Sequence, residues 1–136
     1  SALRKRAAAF DALGHSAEAR TDLKKALKLQ PENPHLWGAL GDSYKDSPGK
    51  EGGALESYLR AHRLAGVGRN HFHKSVALKA AGMLHNRGKA DEALKILKKF
   101  GPEQFSPGSY WEKRFRQAIM ALEKKRTGNA DSKAKK

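Results

Sequence analysis

The sequence has 136 residues, no cysteine and a formal net charge of +14, with 28 Lys and Arg against 14 Asp and Glu. The lack of cysteine excludes disulfides, thiolate metal sites and thiol catalysis, and no apolar run is long enough to span a bilayer. The basic excess favours an anionic partner or a solvated helical surface. Because the chain opens at Ser1 without a methionine or a signal-like stretch, we expect a piece of a longer protein, whose compartment stays undetermined.

Helix signals dominate in chain order. Apolar residues recur at helical spacing, and glycine and proline separate the segments. Ser16 is predicted to cap the second helix, while Asn33-Pro34 and Ser106-Pro107 each resemble an N-cap followed by a first-turn proline. No alternating strand pattern occurs, so the chain is predicted to be all-α. The predicted helices cover residues 2–12, 17–29, 35–46, 52–64, 71–85, 90–100 and 106–126.

Catalysis and metal binding find little support. His71 and His73 alternate and His85 follows twelve residues later, but no His-x3-His or nearby carboxylate completes a tetrahedral set. Residues two apart on a helix point to different sides. The sequence also lacks a nucleophile elbow and a phosphate loop that follows a strand. We therefore predict no enzyme, no metal site and no cofactor.

Helix pairs recur with small residues at matching places. The middle pair reads Trp37-x2-Leu40-Gly41-x2-Tyr44, followed by Ala54-x3-Tyr58-x2-Ala61. The first pair aligns through Leu3, Ala7, Phe10, Gly14, Ala19, Leu23, Ala26 and Pro31, and the third through Ala77, Ala80, Ala81, Leu84, Gly88, Ala93, Leu97 and Phe100. Over about residues 1–100 this pattern resembles the tetratricopeptide repeat family.

The resemblance implies an α-solenoid of three helical hairpins, over residues 1–33, 34–70 and 71–104. Small residues are expected where helices cross most closely, and neighbouring hairpins stack to bury their apolar faces. Three departures stand out: Arg6 in an apolar place, Gly66 instead of a closing proline, and Phe100 instead of the last alanine. The segment 106–126 is predicted to be a capping helix with one buried stripe that includes Tyr110, Trp111 and Phe115. Residues 127–136 are lysine-rich, lack large apolar side chains and are predicted to be a disordered tail.

In the family, the first helix of each unit lines a concave groove that takes a peptide or a helix of a partner protein. The resemblance thus implies a scaffold or adaptor protein. The small residues Ala8 and Gly82 are among the positions that it places in the groove. Ala8 and Ala39 stand where one subgroup has the asparagines of a clamp for chaperone tails, so that partner is not expected. The implied groove residues are Arg4, Asp11, His35, Asp42, Lys45, Leu78, His85 and Asn86.

The alternative function is association with nucleic acid or another anionic surface through the basic C-terminal end. Aromatic residues interleave with cations there, although their helical spacing favours a core role for the aromatics. Phosphate binding would weaken steeply with salt, whereas a groove-bound peptide would respond less. Self-association is also expected if the outer side of the first helix is uncapped. The candidate cations are Lys113, Arg114, Arg116, Lys124, Lys125 and Arg126.

Overall fold

The computed structural model is all-helical over the residues that it describes. These are residues 2–12, 15–45 and 47–134, with side chains described at 2–8, 15–45 and 47–124. The helices are α1 (Ala2–Ala12), α2 (Ser16–Leu29), α3 (Pro34–Lys45), α4 (Glu51–Ala65), α5 (His71–Asn86), α6 (Ala90–Lys98) and α7 (Tyr110–Ala134), with a 3₁₀ turn at Pro102–Gln104. The predicted all-α fold of the α-solenoid class is confirmed.

The first compact unit, Ser1–Gly66, holds two helical hairpins, α1–α2 and α3–α4, with α2 also packed on α3. Helices α3 and α4 pack closely at Gly41, one of the small residues of the repeat pattern. A Cβ atom built there would lie 2.5, 2.6 and 3.0 Å from three atoms of the Tyr58 ring, which is buried. The Tyr58 hydroxyl donates to Asp42 Oδ1 at 2.5 Å. The repeat therefore needs glycine at position 41 because the tyrosine ring occupies the place of a side chain.

Arg6, the departure in the first hairpin, is explained by a partner on α2. Its Nε and Nη2 each donate to a different carboxylate oxygen of Asp22 at 2.7 Å. Asp22 is only 3% exposed, and hydrogen bonding from Arg6 holds the pKa of this carboxyl below its ordinary value. A bidentate ion pair thus joins α1 to α2 where the repeat usually has an apolar contact.

The second compact unit, Val67–Lys136, consists of the α5–α6 hairpin with α7 packed mainly against α6. Phe100, which replaces the last alanine of the repeat, lies after the end of α6. Its ring centroid is 4.9 Å from that of Phe115 on α7, and Phe105 is 5.0 Å from Phe115. This aromatic cluster fixes α7 onto the hairpin, which is the capping role predicted for that helix.

The connection before α5 is tied to the segment before α7. Lys74 is 6% exposed, and its Nζ donates to the carbonyl oxygen of Arg69 at 2.7 Å and lies 5.1 Å from the Phe105 ring centroid. Burial lowers the pKa of Lys74. Arg69 in turn donates through Nη1 to the carbonyl oxygen of Glu103 at 2.9 Å. These contacts hold the segment before α5 against the segment before α7.

Two predicted caps are wrong. Ser16 is the first residue of α2, after His15, whose side chain makes no capping hydrogen bond. Ser106 lies four residues before α7, because Gly108 takes a positive φ of 72° and turns the chain. Ser109 caps instead: its Oγ accepts from the Glu112 N–H at 3.3 Å, and Glu112 Oε1 accepts from the Gly108 N–H at 3.2 Å. This exchange resembles a capping box.

Other helix ends agree with the sequence or differ by a turn. The cap at Asn33 is confirmed, since its Oδ1 accepts from the His35 N–H at 3.0 Å. The sixth helix ends at Lys98 rather than Phe100. Helical backbone in α7 continues to Ala134, past the predicted end at Arg126. The side chains of residues 125–134, and residues 135–136 altogether, lie outside the described part, so the disordered tail stays a prediction, as do the bounds of the three repeat units.

Candidate functional site

In the first unit, a cleft of about 220 Å³ lies against α1, α2 and α3. Two residues of the predicted groove surface, Ala8 and Asp42, line it, together with Ala39. The cleft exists because alanines of α1 and α3 leave room that longer side chains would fill. Small walls of this kind allow a bound backbone to approach closely.

Asp42 is the polar centre of this cleft. One carboxylate oxygen accepts from the Tyr58 hydroxyl at 2.5 Å and lies 4.0 Å from Lys45 Nζ. About a third of the Asp42 side chain is exposed. The structure therefore brings the predicted residues Asp42 and Lys45 together, and the buried tyrosine holds the carboxylate in one orientation.

The other groove residues predicted for this unit do not line the cleft. Arg4 is exposed on α1, and His35 is exposed at the start of α3, two turns before Asp42 on the same helix. The side chain of Asp11 lies outside the described residues. Neither Arg4 nor His35 is thus placed to meet a ligand that is confined to the cleft.

In the second unit, a cleft of about 310 Å³ lies between α5 and α7. It joins Leu78 and His85 from the predicted groove with Arg114 from the alternative anionic set. Asn86, the last residue of α5, is exposed and does not line it. The full lining is Leu78, Ala81, Gly82, His85, Arg114, Gln117, Ala118, Ala121 and Leu122.

Sequence reasoning missed the contribution of α7 to this surface. The resemblance assigns groove residues only to the first helix of each unit, so it predicts α7 as a capping helix whose cations are solvent-exposed. The sequence did contain a signal for this role of α7. Ala118 and Ala121 give one face of α7 small side chains, like those of α5 around Gly82. The small side chains of this α7 face leave room for the α5–α7 cleft, which Arg114 and Gln117 also line.

The basic residues of α7 that the structure describes are all exposed. Lys113, Arg114, Arg116 and Lys124 are exposed, and Arg116 Nη2 lies 3.1 Å from Glu112 Oε1. The side chains of Lys125 and Arg126 lie outside the described residues. The cations described on this helix thus face solvent.

The aromatics among these cations belong partly to the core. Phe115 is buried, as the helical spacing predicted, and Trp111 packs edge-on against His71 with ring centroids 4.7 Å apart. Tyr110 is 64% exposed, so its placement in the buried stripe was wrong. It is the first residue of α7, and its ring packs edge-on against the Trp111 ring, with centroids 5.1 Å apart.

Metal and membrane sites were sought over the same residues. The described side chains contain no group of three or more His, Asp or Glu that could hold a metal ion. None of the helices, as far as the chain is described, is long and apolar enough to cross a membrane.

Comparison with known proteins agrees with the repeat pattern. The family model described as tetratricopeptide repeat matches residues 1–43. The crystal structure of MamA shares the fold with a TM-score of 0.62 and 21% identity, over 98% of this chain and 80% of that chain. No curated protein sequence matches the chain. With the hairpins and the close crossing at Gly41, these findings support the resemblance to the tetratricopeptide repeat, through the family model over residues 1–43 and through a shared helical fold over 98% of the chain.

Proposed function

We propose that the chain is a scaffold or adaptor module that binds an extended peptide or a helix of a partner protein, and that the α1–α3 cleft of the first unit and the α5–α7 cleft of the second are each a binding surface. One observation carries this proposal. In each unit, residues that the repeat pattern assigns to the groove line a cleft: Ala8 and Asp42 in one, Leu78, Gly82 and His85 in the other. The module acts by binding rather than by catalysis.

The α5–α7 cleft has the chemistry of a side-chain anchor. Leu78, Ala81 and Leu122 supply an apolar floor, while Arg114 and Gln117 supply donors at the rim. An apolar side chain of a partner would enter, and a carboxylate or carbonyl beside it would accept from the rim. Recognition of a helix or an extended peptide commonly combines such an anchor with polar contacts.

The α1–α3 cleft of the first unit suits a different kind of contact. Its alanine walls admit backbone rather than a large side chain, and the carboxylate of Asp42 favours a partner N–H or a cation. The α1–α3 cleft therefore predicts a donor-rich ligand segment, whereas the α5–α7 cleft predicts an apolar anchor.

The absence of cysteine makes a direct test possible. A single cysteine in place of Gly82 would carry a photo-crosslinker into the α5–α7 cleft, where an added Cβ meets nothing within 4 Å. Glu92→Cys on the exposed side of α6 is the matched control. In lysate of the source organism, the Gly82 probe should attach to a defined partner peptide that the Glu92 probe misses. Identical adducts from both probes, or none from Gly82, would contradict the proposal.

A nucleic-acid-associated role is the second candidate, because Lys113, Arg114 and Lys124 lie exposed along α7 in a chain of net charge +14. Such binding should lose affinity steeply between low and high salt. Partners that vanish after nuclease treatment would favour it, and removal of residues 127–136 would test the tail. Self-association of the chain also stays a prediction, to be measured by sedimentation.

A further inference from the structure

A second concavity in the first unit lies on the α2 and α4 side. It has a volume of about 390 Å³, and we call it the Trp37 pocket. The side chains of Leu27 and Leu40 form its floor, and Trp37 and Tyr44 stand at its sides. None of its lining residues lines the α1–α3 cleft, so this pocket is independent of the proposed peptide groove.

The two rings are held in place before any ligand arrives. Trp37 Nε1 donates to the carbonyl oxygen of Pro31 at 2.8 Å, and the Arg60 guanidinium carbon lies 5.0 Å from the Trp37 ring centroid. Tyr44 packs against Gly53, where an added Cβ would lie 3.1–3.2 Å from its ring atoms. A rigid aromatic pocket of this kind loses little conformational entropy when it binds.

The mouth of the pocket is positively charged. Lys24 and Lys28 lie exposed on α2 at one side, and Lys24 Nζ is 6.0 Å from the Tyr44 ring centroid. The Arg60 guanidinium lies over the Trp37 ring, and among the lining residues Glu56 is the acid that opposes these cations. The local charge has the same sign as the whole chain, so a negatively charged ligand is attracted at long range and at contact.

We propose that the Trp37 pocket binds an acidic segment of a partner protein, with one aromatic side chain entering between Trp37 and Tyr44 while carboxylates pair with Lys24 and Lys28. Aromatic rings at the walls favour edge or offset contacts with an entering ring, and lysine–carboxylate pairs are charge-assisted. A second copy of this chain is a poor occupant, because with 14 Asp and Glu against 28 Lys and Arg it offers few carboxylates to the lysines of the pocket mouth. Residues 127–136 are also a poor occupant of this basic pocket, because their three lysines and one aspartate give them a net positive charge.

The test uses two fluorescein-labelled ten-residue peptides of Asp, Glu and Ser, one with a central Phe and one with Ala in its place. Trp111→Phe leaves Trp37 as the one tryptophan of the chain, so that its emission reports on the pocket. The Phe peptide should bind at least tenfold more tightly than the Ala peptide and should change the Trp37 emission. Equal affinities, or no binding of either peptide, would overturn the proposal.

Charge reversal supplies the matched variants. Lys24→Glu with Lys28→Glu removes the cations of the mouth, while Lys5→Glu with Lys89→Glu makes the same change in net charge at exposed residues that do not line the pocket. The first pair of substitutions should weaken binding of the Phe peptide at least tenfold, and the second pair less than threefold. Both variants should have the melting temperature of the parent. Equal losses of affinity in the two variants would show that net charge alone attracts the peptide, and would refute binding at the Trp37 pocket.

Two further outcomes would reassign the pocket. An oligonucleotide of equal charge that displaces the peptide, and whose own binding needs Lys24 and Lys28, would make nucleic acid the occupant. A dimer in sedimentation that the Lys24→Glu, Lys28→Glu variant dissolves would make it a contact between copies. Either result overturns the acidic-peptide proposal and leaves the cysteine experiment on the groove unaffected.

Discussion

Replacing Gly41 by alanine should destabilise the first unit more than a small added side chain normally does. The new methyl group would lie 2.5–3.0 Å from the Tyr58 ring, whereas carbon atoms in contact prefer about 3.5–4.0 Å. The ring must therefore shift by about 1 Å. Tyr58 is buried and its hydroxyl is bound to Asp42, so the shift disturbs both the packing and that hydrogen bond.

The magnitude follows from three contributions. Overpacking a buried site costs about 1–3 kcal/mol, and losing a hydrogen bond to a charged group costs about 1.5–3 kcal/mol. Alanine in a helix interior regains about 1 kcal/mol over glycine. The free energy of unfolding should therefore fall by roughly 1.5–5 kcal/mol.

Gly82→Ala is the matched control, since it makes the same change inside α5. An added Cβ at Gly82 meets nothing within 4 Å, so only the helix-propensity gain of about 1 kcal/mol remains. Urea unfolding followed by circular dichroism should show a lower midpoint for Gly41→Ala and a higher one for Gly82→Ala. If both variants unfold at or above the parent midpoint, the close crossing at Gly41 is not what holds the second hairpin together.

Three further predictions concern pairing, capping and the tail. Because Arg6 lowers the pKa of Asp22 below its usual 3.8, the pair stabilises the fold fully above pH 3.8 and loses its effect as the pH falls through the lowered pKa. Asp22→Asn should therefore reduce the free energy of unfolding at pH 7 and make it depend less on pH in acid. Ser109→Ala should cost about 1 kcal/mol in thermal melts, whereas Ser106→Ala should be near neutral. Removing residues 127–136 should leave the melting temperature unchanged, and a fall of several degrees would mean that the tail packs on the domain.

Local sequence patterns were sufficient to predict most of the helices. The spacing of apolar residues and the positions of glycine and proline act within one turn or one loop, so α1 to α5 begin and end within about two residues of prediction. Gly41 could be singled out for the same reason, since the repeat places the partner ring at a known distance along the chain. The predicted groove positions Ala8, Asp42, Leu78 and His85 also follow from the repeat frame.

Other features depend on residues that meet only after the helices pack. The partner of Arg6 is 16 residues away on α2, and local spacing does not reveal that pairing. The start of α7 depends on the turn at Gly108, which places the N-cap at Ser109 instead of the predicted Ser106.

The two clefts show the same division between sequence and tertiary structure. The sequence by itself determined which helix faces are small and which are charged, because side-chain size and sign are local properties. Only the packing of α7 on the α5–α6 hairpin brought Arg114 to Leu78 and His85, and only the packing of α2 and α4 on α3 set Lys24 beside the Trp37 pocket. A cleft is empty space between elements, so its existence depends on their distance, and that distance is a property of the tertiary structure.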